Sequence, residues 1–262
     1  MRKLSKALRV DLLRSVFSGF FLLSIGLMLA WLMLCGWTYY TSDYAIRYGS
    51  VQLLLNDTLT YGSGFLYLLP AVAASGYGWS YCTDYNSKFS LEAQSRVGMW
   101  AYSVSKVISV ALAAFLASAL AMGIYVLFLC TLGMKPPVRE DAWGVVAYMG
   151  LVAKGQDLLY YLARFLITGL TCSFWAVTAL TASAYIPNRY VILFVPVILR
   201  YGADVLDGIL SLPYMFSISL VTVSQPFDDD ILSLLWSVEY LLLLIVLCGW
   251  LFCRRLRKER GQ

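Results

Sequence analysis

Few side chains in this sequence are equipped for chemistry. Only 13% of its 262 residues are charged and none is histidine, which removes HExxH zinc sites, Ser–His proteolysis and histidine-based acyl transfer. No GxxxxGK[ST] stretch is present to cradle phosphates, so ATP hydrolysis by this chain alone is not expected. The six cysteines (35, 82, 130, 172, 248, 253) form no CxxC pair and read as small apolar fillers rather than metal ligands or a disulfide framework. No catalytic residue and no metal site follows. Two sets of charges remain. Arg200, Asp204 and Glu239 fall within apolar runs, where a charge is costly and calls for a partner. Lys88, Glu92 and Arg96 repeat every four residues in "NSKFSLEAQSR", residues 86–96, a spacing that aligns mutually supportive charges along one face of a helix.

The elements that must position these charges are membrane-spanning. Aromatic residues make up 15% of the chain and mean hydropathy is +0.72, far from the roughly 25% charged composition of soluble domains. Uncharged runs of about 20 residues, enough to cross a bilayer as a helix, recur throughout. Alternating ten-residue barrel strands are absent, so helices must satisfy the backbone inside lipid. The expected fold is an all-α polytopic membrane protein, a single transmembrane domain over 1–262. Its spans are expected at about 16–37, 61–81, 107–132, 163–186, 190–207 and 231–253. The opening "MRKLSKALRVDLLR" precedes an apolar run too long for a signal-peptide core, so it reads as the lead into an uncleaved first span. No nucleic-acid module is present.

Charge sets the expected orientation. Arg2, Lys3, Lys6, Arg9 and Arg14 precede the first span, and Arg254, Arg255, Arg257, Lys258 and Arg260 follow the last. The positive-inside rule places both termini in the cytoplasm, together with Lys88, Arg96, Lys106 and Arg189. Segments 41–57, 136–157 and 228–230 then face outward with most of the acidic residues. An even number of crossings follows. Residues 208–227 are uncharged and hold Pro213 and Pro226, which suits a re-entrant hairpin rather than a seventh span.

Depth brings two of the intramembrane charges level. Arg200 lies ten residues into span five and Glu239 eight residues into the oppositely directed span six. At ~1.5 Å per residue these are about 15 Å and 12 Å from opposite sides of a core of roughly 30 Å. An Arg200–Glu239 pair, or a buried network that includes Asp204, is therefore expected.

In the segment between spans two and three, Phe89, Ala93, Val97 and Trp100 share a helical face. A helix over about 88–98, ending near Gly98, is expected. From the pattern alone it reads either as a solvated connector resting on the bilayer or as a docking element. Near the N-terminus, Leu4, Ala7, Leu8 and Leu12 form an arc that Asp11 interrupts, an imperfect interfacial helix.

The whole layout resembles the permease subunit of type-2 ABC transporters. A basic N-terminal helix, an inner helix between spans two and three, a tight turn at "IPNR", a re-entrant segment and a basic tail follow in that order. "FSLEAQSRVGMWAYSVSK" is similar to the family's inner segment, a glutamate followed by a basic residue and a Tyr–x–x–x–Lys entry into span three. Ala93-Gln94 stands where the family often has Gly-Thr. The resemblance implies that 88–98 is a coupling helix, with Lys88, Phe89, Glu92, Arg96, Tyr102 and Lys106 serving ATPase coupling. It further implies an exporter in a bacterial inner membrane, with a second permease subunit (identical or not) and a separate ABC ATPase as partners. The chain would bind no cofactor itself, with ATP and Mg carried by that ATPase. Membrane lipids are the remaining expected partner. Two other classes stay open on the residues themselves: a secondary transporter or channel, which would show paired broken helices in two similar halves, and a non-transporting membrane scaffold or sensor.

Overall fold

Helix α1 spans Arg2–Val16 and α2 Gly19–Tyr40. Between them Ser18 ends one helix and starts the next, its Oγ accepting the Phe21 N–H at 3.1 Å as an N-cap does. The computed structural model describes residues 2–40, 50–60, 65–132, 147–210, 213–218 and 225–259. Among these, every regular element is helical: α3 (Val51–Thr60), α4 (Phe65–Tyr77), α5 (Ser80–Asn86), α6 (Phe89–Val97), α7 (Met99–Thr131), α8 (Met149–Ala153), α9 (Asp157–Ser183), α10 (Arg189–Leu210) and α11 (Asp230–Glu259), with a 3₁₀ turn at Tyr214–Phe216.

Among the described residues, four helices are long and apolar enough to cross a membrane: Gly19–Trp37, Met99–Thr131, Asp157–Ser183 and Asp230–Lys258. The other two expected spans differ for physical reasons. Helix α4 has 13 residues, about 20 Å at 1.5 Å each, and Gly78 and Trp79 separate it from α5. Helix α10 has 22 residues but carries Arg189, Arg200, Asp204 and Asp207. The third span also starts earlier than expected. Lys106 marks an apparent border in the sequence, yet α7 runs on from Met99 through it.

Helix α9 is the axis of the bundle, packing against α7, α11, α4 and α10. Its residues Ile167 to Leu180 are buried without a break, whereas only 22% of the crossing window of α11 is buried. Small residues make that centrality feasible. A Cβ on Gly169 would stand 2.6 Å from the Phe115 ring of α7, so glycine permits the close approach. Hydroxyls bond within and between helices: Ser173 donates to the Ala111 carbonyl at 2.8 Å and Thr181 to that of Cys248 at 3.0 Å. Such bonds hold helices together where lipid offers no hydrophobic drive.

Part of the expected re-entrant segment, 211–212 and 219–224, lies outside the described residues. Its described turn rests on α11, with the Trp236 indole donating to the Met215 carbonyl at 3.2 Å and the Tyr240 hydroxyl to that of Phe216 at 2.7 Å.

Candidate functional site

Both chain ends, α5, α6 and the start of α7 meet at one end of the bundle. Arg14 of α1 reaches Asp84 of α5, Phe252 of α11 stacks edge-on to Tyr81, and Lys3 and Arg257 line one shallow depression beside Trp100. Four charges are drawn into this junction. Lys106 of α7, fully buried, places its Nζ 2.7 Å from Asp84 and 3.4 Å from Asp11. Asp84 also accepts from the Tyr102 hydroxyl at 2.9 Å and from Arg14 at 3.3 Å. Asp11 accepts from Ser105 at 2.7 Å. The Lys106 ammonium lies 5.2 Å and 5.8 Å from the Tyr77 and Tyr102 ring centres, within the range of a cation–π contact.

Two carboxylates thus meet two cations, and the cluster is neutral. A buried charge is tolerated when paired and hydrogen-bonded on its remaining sides, and both carboxylates here have more than one donor. The arc on α1 finds its explanation in the same place. Ser15 and Asp11 are buried while Leu4, Ala7, Leu8 and Leu12 are half-buried. That face packs on α7, and Asp11 interrupts it because Ser105 and Lys106 lie opposite. The exposed large apolar residues of α1 are Val10, Leu13 and, just past the helix, Phe17.

Helix α6 is mounted on this junction by its two ends. Lys88 takes a left-handed conformation (φ 59°) after α5, and Gly98 stands at φ 93°, ψ 147° before α7. That second conformation is one only glycine adopts without strain. A Cβ at Gly98 would meet no atom within 4 Å, so Gly98→Ala isolates the backbone effect. It is expected to cost about 1–3 kcal/mol, read as a lowered midpoint of denaturation in detergent; an unchanged midpoint would show that the α6–α7 corner adjusts freely.

The buried face of α6 is not the one expected. Ser90 and Gln94 are buried and Ala93 and Val97 half-buried, whereas Phe89, Leu91 and Trp100 are exposed. The apolar stripe is turned partly outward, and at the helix rim the Arg14 guanidinium lies 4.7 Å from the Phe89 ring centre. Lys88, Glu92 and Arg96 are all exposed. Among the described residues none of the three is in an ion pair, so the i, i+4 ladder stands open. Tyr102 and Lys106, expected beside them, are buried and hold the mount instead.

The expected Arg200–Glu239 pair is replaced by another. Arg200 is buried and ion-paired with Asp204 one turn along α10, and its guanidinium lies 5.7 Å from the Tyr67 ring centre on α4. Helix α10 packs on α4 and α9, which turns Arg200 away from α11. Glu239 is exposed on α11. Equal depth along two helices does not make their side chains face one another.

A second polar cluster, at the opposite end of the bundle, was hidden in the sequence. Helix α3 is buried from Val51 to Leu59, although 41–57 reads as an outward loop. Arg164, buried in α9, donates to the Asn56 side chain at 3.2 Å, and the Tyr160 hydroxyl donates to the Gln52 carbonyl at 3.1 Å. Burial pushes the Asp57 carboxyl above its usual range, with the Asn56 amide pulling the other way. The available signal was "VQLLLNDTLT" itself, whose Val51, Leu54, Leu55 and Thr58 fall at helical spacing. Compared with family models, curated proteins and solved structures, the chain matches none.

Proposed function

We propose that the chain is the membrane-spanning subunit of an ATP-driven exporter, of the type-2 ABC permease kind, working with a separate ATPase and a second permease subunit. One observation carries the reading. A short helix, with Lys88 just before it and Glu92 and Arg96 on it all exposed and in no ion pair among the described residues, sits between α5 and α7, and a buried neutral cluster ties α5 and α1 to the start of α7, a 33-residue helix long enough to cross a membrane. A force on α6 would pass into α7 through Gly98 and through the Asp84–Lys106 pair rather than dissipate in a loop. A connector that only joins two spans has no use for such a mount.

In this reading α4 with α5, and α10, complete six crossings. Residues 208–227 re-enter the membrane, and both termini and α6 face the cytoplasm of a bacterial inner membrane. Arg189 and the basic tail support that orientation by the positive-inside rule. ATP and Mg belong to the partner ATPase, which would dock on the open α6 ladder by charge complementarity.

The test is charge reversal. In Glu92→Lys, Arg96→Glu, capture of the ATPase that co-purifies with the tagged chain from its native membranes is expected to fall about tenfold or more. Both side chains are exposed, so the melting transition of the chain should move by no more than about 0.5 kcal/mol equivalent. Unchanged capture, or the absence of any ATPase in the wild-type preparation, would overturn the proposal.

A further inference from the structure

A long groove runs between α7 and α11 on the outside of the bundle, with a volume of about 910 Å³. Its walls are aliphatic and aromatic: Val107, Ile108 and Phe115 on one side, Ile245 and Val246 on the other. Gly249 forms the narrow point, since a Cβ there would stand 2.8 Å from Val107 Cγ1. At the end nearest the chain termini the walls change character. Arg254, Arg257 and Lys258 line the mouth beside Trp100 and Trp250. All three cations are exposed, and Arg254 is held 5.2 Å from the Trp250 ring centre. A second, smaller depression of about 470 Å³ adjoins this mouth, shares Trp100 and Arg257 with it, and adds Lys3 and the backbone around Gly98. Among the described residues, no carboxylate lines either space.

We propose that this groove binds one anionic phospholipid of the leaflet that holds the chain termini, its acyl chains along α7 and α11 and its phosphate among Arg254, Arg257 and Lys258. Length supports the assignment. From Trp100 to Phe115 is fifteen residues of one helix, about 22 Å, and half of a bilayer with its headgroups is about 20–22 Å. Charge supports it too, since basic clefts between membrane helices take anionic headgroups. The paired tryptophans stand at the level where an indole bridges tail and headgroup. A zwitterionic lipid would fill the apolar part equally well but would gain little from three cations. The assignment holds whether or not the chain transports anything.

The chain is purified from equal mixtures of dioleoylphosphatidylglycerol and dioleoylphosphatidylcholine, and the lipids it retains are counted by native mass spectrometry. The glycerol lipid is expected to be enriched. Arg254→Gln with Arg257→Gln should lower that enrichment about tenfold or more, at roughly fivefold per cation. Val246→Trp, at a position already exposed, should block retention by filling the groove. If that variant does not fold, quenching in the wild type decides: brominated phosphatidylglycerol should quench Trp100 and Trp250 more than brominated phosphatidylcholine does, a difference removed by Trp100→Phe, Trp250→Phe. Equal retention or equal quenching of the two lipids overturns the proposal. So does a Val246→Trp chain that keeps its phosphatidylglycerol and loses self-association, which would assign the groove to a second copy.

Discussion

Lys106→Met is expected to cost about 3–5 kcal/mol, the largest loss of any single substitution considered. The lysine is fully buried, so its replacement leaves Asp11 and Asp84, 6% and 1% exposed, with one cation between them. Arg14 would remain 3.3 Å from Asp84, but among the described residues Asp11 would keep only the Ser105 hydroxyl. The cost comes from a carboxylate stripped of both water and counter-ion, rather than from the lysine's own contacts. It follows that removing the stranded charge should restore much of the loss. Lys106→Met with Asp11→Asn is neutral again and should recover at least half, an interaction visible in a double-mutant cycle. Denaturation in mixed micelles measures all three variants. Strict additivity would mean that Asp11 and Lys106 act independently and that the cluster is not a unit. Because the cluster ties α5 and α1 to α7 on either side of α6, the proposed function implies that Lys106→Met should also weaken ATPase capture, although Lys106 has no surface from which to touch a partner.

That cluster shows where the sequence was readable and where it was not. The apolar runs announced helices, and α2, α7, α9 and α11 lie where hydropathy puts them, because a chain in lipid must hydrogen-bond within each segment. Charges were misleading at borders. Lys106 reads as the end of a loop, since an isolated lysine is expelled from an apolar helix. Once Asp11 and Asp84 neutralise it, the helix continues for seven residues on its far side. Those partners lie 95 and 22 positions away, and no local pattern links them; the one hint was Asp11 on an otherwise apolar arc. Helix α3 failed for the converse reason. Its Gln52, Asn56 and Asp57 look like loop residues until Arg164 reaches the Asn56 side chain and Tyr160 the Gln52 backbone carbonyl, each from over a hundred positions later. The spacing of Lys88, Glu92 and Arg96 was legible as a helix, but its rotation depends on packing against α1, α5 and α7, including Arg14 on Phe89 across 75 positions.

Asp204→Leu and Glu239→Leu should separate by several fold in their effect, although both remove one carboxylate from an apolar helix. Asp204 is the ion partner of buried Arg200, so its loss removes the carboxylate paired with that guanidinium one turn away. About 3 kcal/mol is expected, below the upper end for a buried pair because the Asp204 side chain retains 28% exposure. Arg200 also stands by Tyr67, and Tyr67 stacks on Tyr201 at 5.0 Å. A guanidinium pulled toward another partner would therefore loosen the α4–α10 contact as well. Among the described residues, Glu239 is in no ion pair. It is exposed between Leu235, Leu242 and Leu243, themselves 55%, 46% and 63% exposed. Its replacement by leucine matches that surface and should change stability by less than about 0.5 kcal/mol, or raise it. The comparison is made by unfolding both variants in mixed micelles alongside Arg200→Leu with Asp204→Leu, which should lose less than Asp204→Leu alone. Equal losses for the two single variants, with rescue of Glu239→Leu by Arg200→Leu, would return Glu239 to Arg200 and require α10 to turn toward α11.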